Sequence, residues 1–113
     1  MADIRYFKLQ NKGAFVARMQ VIWHGKDTKG NAVDGVYEPG GYHDVLAAAE
    51  RTIDLNETNI PDAAEVHLKV VVVAGRDREA SERHKFTRSS GGMATYEISG
   101  TTLINTLKEL SVG

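Results

Sequence analysis

Apolar and polar side chains alternate with a period of two over much of this chain. In "AFVARMQVIWH" (14–24), Phe15, Ala17, Met19, Val21 and Trp23 fall on one side, with Val16, Arg18, Gln20, Ile22 and His24 on the other. One apolar and one mixed face is the pattern of a half-buried strand. Upstream, "IRYFKLQ" (4–10) is β-prone and ends at "NKG" (11–13), where Asn and Gly tolerate positive φ. Two strands with a short turn between them predict a hairpin. In "EVHLKVVVVAG" (65–75) one face carries Val66, Leu68, Val70, Val72 and Ala74. The other (His67, Lys69, Val71, Val73) loses its polar character towards Val73, which predicts entry into a covered part of a sheet.

Shorter strand candidates are 34–38, 51–55, 83–88 and 94–99, separated by turn chemistry in "NETNIPDAA", "GRDREASE" and "SSGG". About seven to eight short strands punctuated by turns predict an all-β chain, an antiparallel β-sandwich with at most one short helix. Two segments read both ways. "HDVLAAAERTI" has three consecutive Ala, so 43–50 reads as a short helix or as a turn. "TTLINTLKEL" spaces Leu103, Ile104, Leu107 and Leu110 at helical intervals but is rich in β-branched residues, which favours a terminal strand over a helix at 102–108.

Composition narrows function more than fold. At 113 residues the chain makes one domain, 1–113, with room for a real core. A formal net charge of -1 argues against a general nucleic-acid binder. In "RDREASERHKFTR" (76–88) five Arg or Lys alternate with three acids, the composition of a solvated hairpin tip. There is no Cys, hence no disulfide framework and no thiolate metal site. The longest apolar run, "VVVVA" (70–74), is far below the ~20 residues of a membrane-spanning helix. The first residues show no apolar signal-peptide region, so a cytoplasmic location is the expectation, with non-classical secretion left open.

The densest chemistry lies in "WHGKDTKGNAVDGVYEPGGYHD" (23–44), which holds the only Trp, two of four His, three Asp and two Tyr. As a calcium loop starting at Asp27 it fails: the third and sixth positions are Lys29 and Ala32, where an oxygen ligand and Gly are needed. An irregular metal site from Asp27, Asn31 and Asp34 is the weak remainder. His24, His43, His67 and His84 never take the close helical spacing of a zinc site, and no cofactor is expected. No nucleophile elbow or phosphate loop is present, and nothing selects among Ser81, Ser89 and Ser99, so an enzyme is disfavoured. Tyr37 and Tyr42 flank "EPGG" beside His43 and Asp44, residue types that stack on rings and make directional hydrogen bonds at a loop. With His24 they form the candidate ligand-binding set. Trp23 belongs by alternation to the core.

The stretch "FKLQNKGAFVARMQVIW", with "RTIDL", "IPDAAEVHLKVVV" and "YEISGTTL" after it, resembles small β-sandwich domains in which an N-x-G-x-F-x-A turn links the first two strands. These include Ig-like modules and cytolysin- or lectin-type sandwiches such as the aegerolysins and actinoporin-like proteins. The resemblance is one of layout and implies the sandwich fold. With the loop chemistry of Tyr37, Tyr42, His43 and Asp44, the expectation is a non-catalytic, lectin-like binding module that recognises carbohydrate or a membrane headgroup through loops at one end. The alternative is a structural homo-oligomer, associating through Val71, Val73 and the 45–49 run.

Overall fold

The computed structural model describes residues 1–113. Ten strands are present: β1 (Asp3–Ile4), β2 (Tyr6–Asn11), β3 (Ala17–Lys26), β4 (Ala32–Tyr37), β5 (Glu50–Asp54), β6 (Glu65–Val72), β7 (Arg78–Glu79), β8 (His84–Phe86), β9 (Met93–Gly100) and β10 (Asn105–Val112). The only helical element is a 3-10 turn, Leu55–Glu57, capped by the Asp54 carboxylate. Two sheets pack together. One runs β1-β8-β6-β3-β4, with β7 beside β6, and the other β10-β9-β2-β5. The expected all-β sandwich is therefore present.

Its core follows from the alternation. Ala17, Met19, Val21 and Trp23 of β3 and Val66, Leu68, Val70 and Val72 of β6 point inward. They meet Phe7 and Leu9 of β2 and Ala94, Tyr96 and Ile98 of β9 in a cluster of 22 buried residues. Each large apolar side chain so buried contributes about 1.5–3 kcal/mol. Trp23 is inside, lying against Gly35 of the neighbouring strand, where a Cβ would come 2.5 Å from its ring.

The sheets are mixed, with β2 pairing β9 and β1 pairing β8 in parallel. The expected opening hairpin does not form: β2 lies in the four-stranded sheet and β3 in the other. The physical reason is the Asn11 side chain. Its Oδ1 accepts from the Gly13 amide (2.9 Å), while its Nδ2 donates to the carbonyls of Phe15 (2.8 Å) and Val45 (2.9 Å). The segment 12–16 wraps around this buried amide and carries the chain between the layers. The second face of β6 does not become covered towards Val73 as expected: His67 on it is buried, but Val71 is half-buried and Val73, beyond the strand's end at Val72, is exposed. Residues 43–50 form no helix; Val45 makes an isolated bridge to Ala17. The terminal strand exists but starts later than expected, leaving 102–104 in the turn before β10.

The topology gathers the loops at two ends. Segments 12–16, 38–49, 73–77 and 101–104 lie at one, hereafter the Tyr42 end; 27–31, 55–64 and 87–92 lie at the other, the Asp27 end. The interlayer crossing yields a direct test. A Cβ on Gly13 would sit 2.2 Å from the Phe15 ring, whereas at Gly40 it would meet nothing within 4 Å. Gly13→Ala is expected to cost about 2 kcal/mol in urea unfolding, and Gly40→Ala less than about 0.5 kcal/mol.

Candidate functional site

The Tyr42 end is held by two buried amides. Asn11 anchors the β2–β3 crossing and, through Val45, the long β4–β5 loop; Ala48 N–H also donates to the Asn11 carbonyl (2.8 Å). Asn105, at the start of β10, does the same for the other two loops. Its Nδ2 faces the carbonyls of Arg76 (3.0 Å), Thr101 (3.3 Å) and Thr102 (3.2 Å), and its Oδ1 accepts from Arg78 Nε (2.6 Å). Arg76 N–H donates to the Thr102 carbonyl (2.7 Å), and Gly75 lies so close that a Cβ there would be 2.2 Å from that oxygen. The 101–104 turn closes on itself through Thr101 N–H to the Ile104 carbonyl (2.7 Å) and Ile104 N–H to Thr101 Oγ1 (3.1 Å). Gly100, at φ +105°, supplies the left-handed bend into it.

Several large apolar side chains project from this frame, beside the exposed Lys12, Glu38, Arg76 and Asp77. Leu103 is 66% exposed and Ile104 80%. Val73 is exposed on the 73–77 loop that bonds this turn, and Tyr42 and Leu46 on the 38–49 loop at the same end. Such side chains in water carry an unfavourable hydration cost that burial against a partner relieves. The Arg51 guanidinium lies 5.3 Å from the Tyr42 ring centroid. Arg51 Nε also donates to the Asp44 carbonyl (2.7 Å), and Arg18 Nε to the Asp44 carboxylate (2.7 Å), which raises the Arg18 guanidinium above its ordinary value. His43 bonds the Gly41 carbonyl through Nδ1 (2.7 Å) and the Glu38 carboxylate through Nε2 (3.2 Å).

The sequence-derived candidates thus divide. Tyr42, His43 and Asp44 share the Tyr42 end. Tyr37 sits at the end of β4, half-buried against the core. His24 lies towards the opposite end, about 20 Å along β3 from Arg18 at ~3.3 Å per residue. There it pairs across strands with Asp34 (2.7 Å) and stacks on His67, ring centroids 6.4 Å apart. Both His24 and Asp34 border an open cleft of about 500 Å³ lined also by Lys26, Asp62, Glu65 and Lys85. Asp27 closes its own turn, accepting from the backbone N–H groups of Asn31 (2.9 Å) and Lys29 (2.8 Å). The Asn31 amide foremost, with Lys29, the Asn31 side chain and Gly30, holds the Asp27 carboxyl below the usual range. No three His, Asp or Glu side chains are disposed to hold a metal ion together.

Sequence reasoning missed both Asn anchors, the apolar tip and one interlayer cluster. In that cluster Glu109 Oε2 accepts from His84 Nε2 (2.7 Å) and from the Tyr96 hydroxyl (2.8 Å). Tyr96 is fully buried and His84 nearly so. Burial first, and the bond to Glu109 second, push the Tyr96 phenol well up, so it stays protonated and donates. The cluster joins β8 of one sheet to β9 and β10 of the other. The "NKG" and "GTTLIN" punctuation marked where the anchors lie, but an Asn in a turn gives no sign that it will be buried.

Neither a protein-family model nor a curated protein sequence matches the chain. Solved toxin structures do match its fold. Wild-type pneumolysin superposes with a TM-score of 0.53 at 20% identity over 93% of this chain and 22% of that one. Listeriolysin O gives 0.52 at 17% identity over 93% and 22%. The human-specific toxin intermedilysin gives 0.51 at 21% identity over 96% and 23%. The chain thus spans about a quarter of the length of these cytolysins, and what it shares with that portion is the fold. At the level of fold this agrees with the cytolysin-type layout seen in the sequence; none of these matches is an aegerolysin or an actinoporin-like protein.

The Asn105 anchor is open to test. Replacing Asn105 by Leu leaves the Arg76, Thr101 and Thr102 carbonyls and the Arg78 guanidinium without this partner. A loss of about 2–3 kcal/mol in urea unfolding is expected, with faster amide hydrogen exchange confined to 73–77 and 101–105.

Proposed function

We propose that this β-sandwich is a non-catalytic binding module that docks on a lipid membrane surface through the loops of its Tyr42 end. The observation that carries this reading is the set of exposed Leu103, Ile104, Tyr42, Leu46 and Val73 on three loops at one end of the sandwich, half of the ten large apolar residues the chain exposes. A framework that fixes two aliphatic side chains at the tip of a rigid turn has already met most of the ordering cost of insertion. Transfer of Leu103 and Ile104 out of water would supply about 1.5–3 kcal/mol each. Tyr42, an amphipathic ring beside Arg51, suits the headgroup layer, where aromatic residues collect. Arg18, His43 and Asp44 would lie at the same depth, among headgroups.

The likeness to the cytolysins is one of fold; the apolar loop end turns it into a membrane reading. Carbohydrate recognition finds less support, because Tyr42 alone of the two candidate tyrosines is free to stack on a sugar ring. Val73 and Leu46, which the sequence suggests as a self-association patch, belong to the same loop end and fit docking equally.

The test is co-sedimentation with vesicles of a total cell-membrane lipid extract. The wild-type chain is expected to sediment with them, and the Leu103→Ser/Ile104→Ser double variant to bind at least about tenfold more weakly. Its thermal stability should be unchanged, since both side chains are exposed. Lys29→Ser at the opposite end should bind as wild type. Equal binding by the double variant would overturn the reading, as would no binding by the wild type.

A further inference from the structure

Each of the four histidines contacts a carboxylate: His24 with Asp34, His43 with Glu38, His67 with Glu79 and His84 with Glu109. His43 differs from the others in its proton count. His24, His67 and His84 each use one ring nitrogen. His43 uses both, Nδ1 towards the Gly41 carbonyl at 2.7 Å and Nε2 towards the Glu38 carboxylate at 3.2 Å. A carbonyl and an ionised carboxylate only accept. A neutral imidazole offers one N–H and one lone pair, so it can satisfy one of these contacts and faces the other with lone pair against lone pair. Only the imidazolium, with two N–H groups, completes both.

Resting on the docking reading above, we propose that the Tyr42 end carries a proton-dependent latch, in which protonated His43 closes the 38–43 loop and fixes Tyr42 in its docking position. The two bonds enclose the loop: Glu38 stands at its start, Gly41 precedes Tyr42 and His43 follows it. Gly40 and Gly41 have no atoms near their absent Cβ positions, and Gly41 holds φ +67°, so the segment between the bonds is a hinge once a bond is lost. Glu38 is the charged group bonded to His43. Around this loop lie Asp44, next in the chain, Arg18 from β3, which pairs with Asp44 and also feels the Glu38 charge, and Arg51 from β5, which lies over the Tyr42 ring. The Asp44 carboxylate is engaged by Arg18, and Arg51 bonds the Asp44 backbone carbonyl; the carboxylate in contact with the His43 ring is that of Glu38. The His43 side chain is 19% exposed and so exchanges protons with solvent. Imidazole is the side chain that changes charge between pH 5 and 8.

Two variants separate a latch from a general acid effect. His43→Gln removes the titrating group. Glu38→Gln substitutes an amide that donates to the lone pair of neutral Nε2 while Nδ1–H keeps Gly41, so it should close the loop at any pH. In vesicle co-sedimentation the wild type is expected to bind roughly threefold more tightly at pH 5.5 than at pH 7.5, the scale of one net hydrogen bond. H43Q should bind weakly at both values, and E38Q tightly at both. Identical pH profiles for the three proteins, or an E38Q variant fixed at the weak level, would overturn the latch. Absence of vesicle binding at either pH would overturn the docking reading instead, and the latch is then read by NMR without lipid. Backbone amide signals of Gly40, Gly41 and Tyr42 should titrate together in the wild type and not in H43Q; unchanged titration in H43Q would overturn it.

Discussion

Two buried side-chain amides, Asn11 and Asn105, hold one end of this sandwich together. An Asn removed from water must satisfy both its oxygen and its NH₂ group. Each does so by collecting backbone groups from loops distant in sequence. Asn11 brings the 12–16 crossing against the Val45 segment, and Asn105 brings 101–102 against Arg76 and Arg78. Backbone bonds tie the same loops, among them Ala14 N–H to the Gly100 carbonyl (3.0 Å), Val73 N–H to the Val16 carbonyl (3.0 Å) and Arg76 N–H to the Thr102 carbonyl (2.7 Å), and the two amides add the buried side-chain links. Leu103 and Ile104 stand on the turn that Asn105 holds, and Leu46 follows the Val45 segment that Asn11 holds.

The same arrangement explains why the two ends differ in chemistry. At the Asp27 end, polar groups satisfy one another: Asp27 its own turn, His24 with Asp34, and the Arg88 backbone N–H with Asp62. At the Tyr42 end two polar side chains, Asn11 and Asn105, are turned inward to hold the loops, and Leu103, Ile104, Tyr42, Leu46 and Val73 project beside charged residues such as Lys12, Glu38 and Arg76. Burying the polar anchors and exposing the hydrophobes inverts the usual preference, and that inversion is the physical ground for assigning the binding face.

Much of the fold was legible because alternation depends only on neighbouring residues. The apolar faces of β3 and β6, the inward Trp23 and the "ISGTTL" turn between β9 and β10 follow from it directly. The sheet partners do not. "NKG" has the composition of a hairpin turn, and only the side-chain bonds of Asn11 to Phe15 and Val45 show that the chain changes layers there. Leu103 and Ile104 fall in the turn and not in the terminal strand expected at 102–108 for a related reason: β-branched residues favour a strand, and only the bonds of Thr101 and Asn105 show that the turn extends to Ile104. Of the proposed binding residues, Tyr42, His43 and Asp44 come together; His24 does not, because nearly 20 Å of strand separates it from them.

Because the chain contains no Cys, a single substituted thiol reports one position without further change. The most direct measurement is the emission of an environment-sensitive fluorophore attached at Leu103→Cys, compared with the same label at Lys29→Cys, on adding vesicles of total membrane lipid. A blue shift and loss of aqueous quenching at 103 alone is the expected result. Equal shifts at both ends, or a shift at 29 alone, would contradict docking through the Tyr42 end.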